Sequence, residues 1–173
     1  LLQPYRREPH LTEVNVHEVL ERVRHLVSVE FGAGLAVTRD YDVSVPAIRG
    51  DREELIQVFL NLMRNAAEAG RHLIGQGRAE IILKTRIARQ CTIQRRRYRL
   101  AVNVHVIDNG PGIDAGIREK IFYPLVTGRD GGTGLGLSIV QTYVERHGGS
   151  IVVDSRPGCT DFSLLRSEER RVG

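Results

Sequence analysis

Hydrophobic and polar positions first fall into a helical rhythm at Val16, Val19, Leu20, Val23, Leu26 and Val27, the stripe of an amphipathic helix. Asn15 ahead of that run and Glu18 three residues on form a capping box that predicts the helix start, and Gly32 with Gly34 predicts its end. The rhythm shortens to two from Leu35 to Tyr41, which predicts a strand before a turn from Pro46 to Gly50. Asp51 and Glu54 repeat the capping pattern and open a second helix. On it Leu55, Phe59, Leu62, Met63 and Ala66 share one face, while Glu54, Gln57, Asn61, Asn65 and Glu68 share the opposite stripe.

Two extended runs follow, Glu80 to Ala88 and Tyr98 to Asp108, joined by the basic segment Gln94-Arg95-Arg96-Arg97 into a long hairpin. Alternation in the second run sets Leu100, Val102, Val104 and Val106 on one face and carries Asp108 to the same buried side, where a carboxylate must be satisfied. A short helix from Asp114 to Phe122 leads into an irregular stretch through Gly132. A third long helix then runs from Leu135 to His147 and closes at Gly148-Gly149. Ser150 to Asp154 and Thr160 to Leu165 read as the last strands, separated by a Pro157-Gly158 turn. Residues 1–14, with Pro4 and Pro9, read as a linker leading in, residues 15–165 as the domain, and residues 166–173 as an unstructured tail. This order of elements predicts the α+β class, a two-layer sandwich in which a mixed, largely antiparallel sheet carries helices on one face.

Length and composition narrow the setting. At 173 residues and 41% hydrophobic, the chain is long enough for one buried core and short for two domains. It has no apolar run near the roughly 20 residues that span a bilayer, and its first residues lack a signal-peptide core, so a cytoplasmic protein without a membrane partner is expected. Cys91 and Cys159 stand far apart without a CxxC spacing and read as free thiols. A net charge of +4 is a modest excess, and no basic platform interleaved with aromatics accompanies it, so nucleic acid is not an expected partner.

Three segments carry the candidate chemistry. In Asn61-Leu62-Met63-Arg64-Asn65-Ala66-Ala67-Glu68, two residues of mediocre helix propensity lie one turn apart. Alone they read as a solvated stripe, yet an amide oxygen is also a hard neutral ligand of the kind Mg²⁺ accepts. Asp108-Asn109-Gly110-Pro111-Gly112-Ile113 is a strong turn sequence, with Asp108 either its cap or a ligand-reading carboxylate. Gly132-Thr133-Gly134-Leu135-Gly136-Leu137 enters a helix, where backbone N–H groups and the positive helix end suit phosphate oxygens. No Gly-Lys-Ser/Thr ends these glycines, as a P-loop requires, and no hydrophobic strand precedes them directly, as a dinucleotide fold requires.

In this combination and order the segments resemble the ATP-binding catalytic domain of sensor histidine kinases, the Bergerat-type nucleotide fold, over roughly residues 14–165. Ile121 to Arg129, running directly into the glycines, is most similar to the nitrogen-regulation branch of those kinases. The resemblance implies that Asn65 holds Mg²⁺ between the ATP phosphates and that Asn61 supports the phosphate end. It implies that Asp108 accepts a hydrogen bond from the adenine amino group while Gly112 lets the base approach the backbone, with Gly110 also in the nucleotide-binding set. Gly132, Thr133, Gly134, Leu135 and Gly136 would cradle the phosphates. Tyr123 to Gly132 would be a lid hinged at Phe122, and Arg129 either reaches the γ-phosphate or is a solvated loop charge.

The implied activity is phosphoryl transfer from Mg·ATP to a histidine, with nitrogen-regulation signalling as the setting. None of the six histidines lies in a His-Glu-x-x-Asn-Pro-like phosphoacceptor segment, so all read as structural, His147 as a helix C-terminal residue suited to the dipole. Implied partners are therefore an upstream phosphoacceptor and dimerisation domain, a response-regulator receiver domain and a PII-type signal protein. Two alternatives stay open: an ATP-hydrolysing relative such as gyrase or Hsp90-like chaperones, and a non-catalytic ATP-binding regulatory module. Against the first, Asn61 stands where those enzymes place a water-activating Glu.

Overall fold

The computed structural model describes residues 8–118 and 135–167. In chain order the elements are β1 (Thr12–Val14), α1 (Val16–Phe31), β2 (Leu35–Asp40), β3 (Ile48–Gly50), α2 (Arg52–Ala69), α3 (Arg71–Gly75), β4 (Ala79–Ile93), β5 (Arg96–Asp108), α4 (Ala115–Arg118), α5 (Leu135–Arg146), β6 (Ser150–Arg156) and β7 (Cys159–Ser167). Among the described residues five strands build the main sheet in the order β2-β4-β5-β7-β6. Among the described residues β2 and β4 pair in parallel, and β4–β5, β5–β7 and β7–β6 are antiparallel. Alternation turns Ile81, Leu83, Val102, Val104, Val106, Phe162 and Leu164 to one face, where they form a single core with the apolar stripes of α1, α2 and α5. The α+β sandwich expected from the order of elements is the observed fold.

Several local expectations are corrected. Thr12–Val14 is not linker: it pairs antiparallel with Ile48–Gly50 in a second, two-stranded sheet, and Val14 joins the core. Three residues are too few to display a period of two, so this strand exists only through its partner. At the other end β7 runs on through Arg166 and Ser167, which pair with Val102 and Ala101, and Ser167 is buried. The reciprocal capping box of α1 does not form, because the Asn15 side chain accepts from His17 N–H while Glu18 reaches Arg52 at 3.7 Å. Leu26, placed on the apolar stripe, is exposed. Gly32, with φ 77°, is the residue that ends α1. Gly34 has a different task, since a Cβ there would overlap the Ile74 carbonyl of α3.

The hairpin is longer than its apolar pattern. β4 continues to Ile93 and β5 begins at Arg96, leaving Gln94 and Arg95 as a two-residue loop. The short helix expected from Asp114 to Phe122 is described over Ala115–Arg118, with Asp114 ahead of it accepting from Gly116 N–H at 2.7 Å; residues 119–122 lie outside the described residues.

Candidate nucleotide site

The amide pair is set by α2. Asp51 caps this helix by accepting from Glu54 N–H at 3.2 Å, which fixes its rotation, and Leu55, Phe59, Leu62, Met63 and Ala66 then bury one side. Asn61 and Asn65 remain half-buried on the other. The Gln57 amide donates to Asn61 Oδ1 at 3.4 Å, and Asn65 Nδ2 donates to the Asn61 carbonyl at 2.9 Å. That back-bond holds the Asn65 amide in one orientation, with Oδ1, the atom suited to a hard cation, on the side away from its own helix carbonyl. Glu54 leaves the polar stripe altogether. It is buried and receives Arg146 of α5 at 3.0 Å, a partnership between distant elements with no trace in helical periodicity.

Asp108 is the last residue of β5 and is 5% exposed, on the core side where alternation placed it. Its Oδ1 accepts from Gly110 N–H at 2.9 Å, so the carboxylate folds its own turn. Gly110 sits against the end of α2, where an added Cβ would lie 3.4 Å from the Ala69 carbonyl. Asn65 is one helical turn before Ala69, so the first two motifs share one corner of the molecule.

That corner is braced by contacts between the second motif and residues for which no motif gave a signal, among them Ser155, Gly158 and Thr160. The turn of β6 and β7 supports the loop through Gly158 N–H to the Gly110 carbonyl at 2.9 Å. Ile113 N–H donates to Ser155 Oγ at 2.8 Å, and Ser155 shares its hydroxyl with buried Thr160 at 2.7 Å. Asn109 clasps the start of β4, donating to the Arg78 carbonyl and accepting from Glu80 N–H, each at 2.9 Å. Gly112 has φ 91°, and a Cβ there would lie 2.8 Å from the Arg156 carbonyl, so glycine is required by both conformation and space.

The third motif is described only from Leu135, the first residue of α5, with Gly136 in its first turn. Arg129, Gly132, Thr133, Gly134 and the expected hinge Phe122 lie outside the described residues. The far end of α5 ties into the cap of α2. His147 Nδ1 donates to the Tyr143 carbonyl at 2.7 Å and Nε2 accepts from Asp51 N–H at 2.9 Å. Through these two bonds His147 connects α5 to the start of α2, a role that its place at a helix C-terminus did not announce.

A family model described as "Histidine kinase-, DNA gyrase B-, and HSP90-like ATPase" matches residues 50–169, a span holding α2, the Asp108 turn and α5. The chain belongs to this ATPase family. Its sequence is 46% identical over 164 residues to the sensory histidine kinase/phosphatase NtrB of Salmonella typhimurium, covering 95% of this chain. The chain spans about half the length of such relatives, 46% in that case. The fold matches the catalytic domain of histidine kinase ThkA with a TM-score of 0.75 and 28% identity, over 92% of this chain and 96% of that one. It also matches ThkA as determined in complex with the response regulator protein TrrA, with a TM-score of 0.72 and 26% identity, over 96% of this chain and 45% of that one.

For a member of this ATPase family, the donor set fits the nucleotide. The buried, acceptor-only carboxylate of Asp108 suits the adenine amino donor and would confront a carbonyl oxygen in guanine. Among the described residues no helix is long and apolar enough to cross a membrane.

Proposed function

We propose that this chain is the ATP-binding catalytic part of a sensor histidine kinase of the nitrogen-regulation type, transferring the γ-phosphoryl group of ATP to a histidine outside residues 1–173. One observation carries the reading: buried Asp108 is held by its own Gly110 turn against the end of α2, one turn from Asn65. Adenine reading and metal holding thereby converge on one corner. Asp108 binds and orients the base, Asn65 is the Mg²⁺ ligand, and Asn61 keeps the Asn65 amide in place through its carbonyl. Bound Mg²⁺ supplies charge neutralisation at the phosphates. The first turn of α5 offers Leu135 and Gly136 N–H groups to phosphate oxygens, with Gly132, Thr133 and Gly134 completing the cradle and Arg129 reaching the γ-phosphate.

Transfer breaks the bond between the γ-phosphorus and the bridging oxygen, which leaves with ADP, as a bond forms to an imidazole nitrogen. Positioning and charge neutralisation are the contribution of this domain, since Asn61 cannot serve as a general base for water. The phosphoacceptor belongs to an upstream dimerisation domain, and a response-regulator receiver domain takes the phosphoryl group next. A PII-type signal protein fits as the regulator of such a kinase, and the setting is cytoplasmic.

The test is calorimetric titration of ATP with and without Mg²⁺ on the parent and on Asp108→Asn. Mg²⁺-dependent binding weakened by the substitution is expected, because an amide presents the wrong group to the adenine donor. Equal affinity of both proteins would remove Asp108 from the adenine site.

A further inference from the structure

The β4–β5 hairpin outruns its sheet. Among the described residues β2 pairs with β4 through Lys84 and β7 pairs with β5 from Ala101 onward, so within them the distal part is a two-stranded arm. Arg89, Arg95, Arg96, Arg97 and Arg99 are all exposed on it, and none forms an ion pair with a described residue. The loop departs from turn chemistry in an informative way. Ile93 and Arg96 pair across Gln94 and Arg95, whose φ values of 49° and 66° are left-handed at positions where Asn and Gly are the usual residues. Gln94 has a local reason to be there, since its amide donates to the Gly149 carbonyl at 3.0 Å and fixes the tip to the end of α5. Arg95 has none among the described residues, and a left-handed residue without a structural return there points to use elsewhere.

Position narrows the use. Asp108, at the opposite end of β5, marks the nucleotide corner, whereas the arm tip is bound to Gly149, two residues from His147. His147 holds Asp51, and Asp51 Oδ2 accepts from His10 N–H at 2.9 Å, so the tip lies at the end where the chain leads in from its N-terminal side.

On the kinase reading above, we propose that this arginine arm is a docking surface for the acidic face of the response-regulator receiver domain. A receiver must bring an acceptor aspartate to a histidine carried N-terminal to this domain, and the arm presents five cations at that end. A carboxylate-rich partner is the complement of five exposed guanidinium groups, which offer paired N–H donors and long-range attraction. Its contribution is to encounter and hold the regulator, with no part in ATP chemistry.

The experiment uses the full-length kinase, its receiver domain and labelled ATP, with two variants: Arg95→Glu/Arg97→Glu, and Arg95→Gly, which relieves the left-handed residue and so favours the fold. Histidine phosphorylation is expected to proceed at the parent rate in both. Transfer to the receiver by the double variant should show KM raised about tenfold with kcat unchanged and a flattened dependence on salt, and Arg95→Gly a smaller rise in the same direction. A receiver KM within about twofold of the parent would overturn the proposal. So would a loss of histidine phosphorylation in the variants, which would assign the arm to the phosphoacceptor domain. A parent protein that binds no ATP would instead sink the kinase reading and is distinguishable from either.

Discussion

Single side chains carry the sharpest tests. Asp108→Asn should weaken ATP by about 10- to 100-fold, the worth of a hydrogen bond to a charged acceptor, while the β5 strand is retained. Asn65→Ala should abolish the Mg²⁺-dependent part of binding and leave the thermal midpoint within a few degrees, because the amide lies on the half-buried side of α2 opposite Leu62 and Ala66. Calorimetry at saturating and limiting Mg²⁺ measures both, and an Asn65→Ala protein with parental Mg²⁺ dependence would cancel the ligand assignment. A third site responds to pH. Burial beneath Tyr41, whose ring stacks at 4.5 Å, pushes the His17 pKa below its ordinary 6.5 despite the attraction of Asp42 and Glu21. The unfolded chain therefore binds more protons than the folded one as pH drops below 6.5, and stability declines toward the lower folded value. Burial works against the charge of Glu21, but hydrogen bonds from Arg24 and Tyr41 with the nearby arginines outweigh it and hold its pKa low. Its stabilisation is likewise lost on acidification. His17→Gln should flatten the decline measured by urea unfolding between roughly pH 7.5 and 5.5, and an unchanged slope would exclude His17 as its source.

Elements rather than residues decide how firmly the corner is held. Leu62 and Met63 are fully buried at the middle of α2, so Leu62→Ala should lower stability by about 2–5 kcal/mol in urea unfolding. Gly112→Ala acts through the loop: a left-handed φ of 91° and the Arg156 carbonyl 2.8 Å from the new methyl must displace the Asp108 turn. Nucleotide affinity should fall in the folded protein, and a Gly112→Ala variant with parental affinity would show that the turn tolerates the shift. Periodicity located α1, α2 and the apolar halves of β4 and β5, because each buries one face against the same core. It missed β1 and the distal hairpin, whose pairing depends on a partner strand and a side-chain clasp at Gln94.

At the scale of the whole molecule, the expectation is a domain that binds ATP and does not label itself. Incubated with γ-labelled ATP, residues 1–173 should gain no acid-labile, alkali-stable phosphate, and hydrolysis should stay slow with Asn61 in place of a base. A separately supplied helical domain bearing a phosphoacceptor histidine should restore transfer, less efficiently than a tethered one, whose effective concentration is higher. Acid-labile label on the isolated chain would show that one of its own histidines accepts, and rapid phosphate release without label would favour the hydrolase alternative.

The sequence by itself determined the sandwich class, the amphipathic face of α2, the inward direction of Asp108 and the residue types of the nucleotide motifs. These follow from local period and from chemistry confined to a few neighbouring positions. Tertiary structure alone decided that Glu54 belongs to Arg146, that His147 joins α5 to the cap of α2, and that Ser155 and Gly158 brace the Asp108 turn. It also decided that β2 lies parallel to β4, at the edge of the sheet. Those facts join residues from 42 to 96 positions apart, and a buried polar group chooses its partner by the geometry of the packed core, which no local pattern encodes.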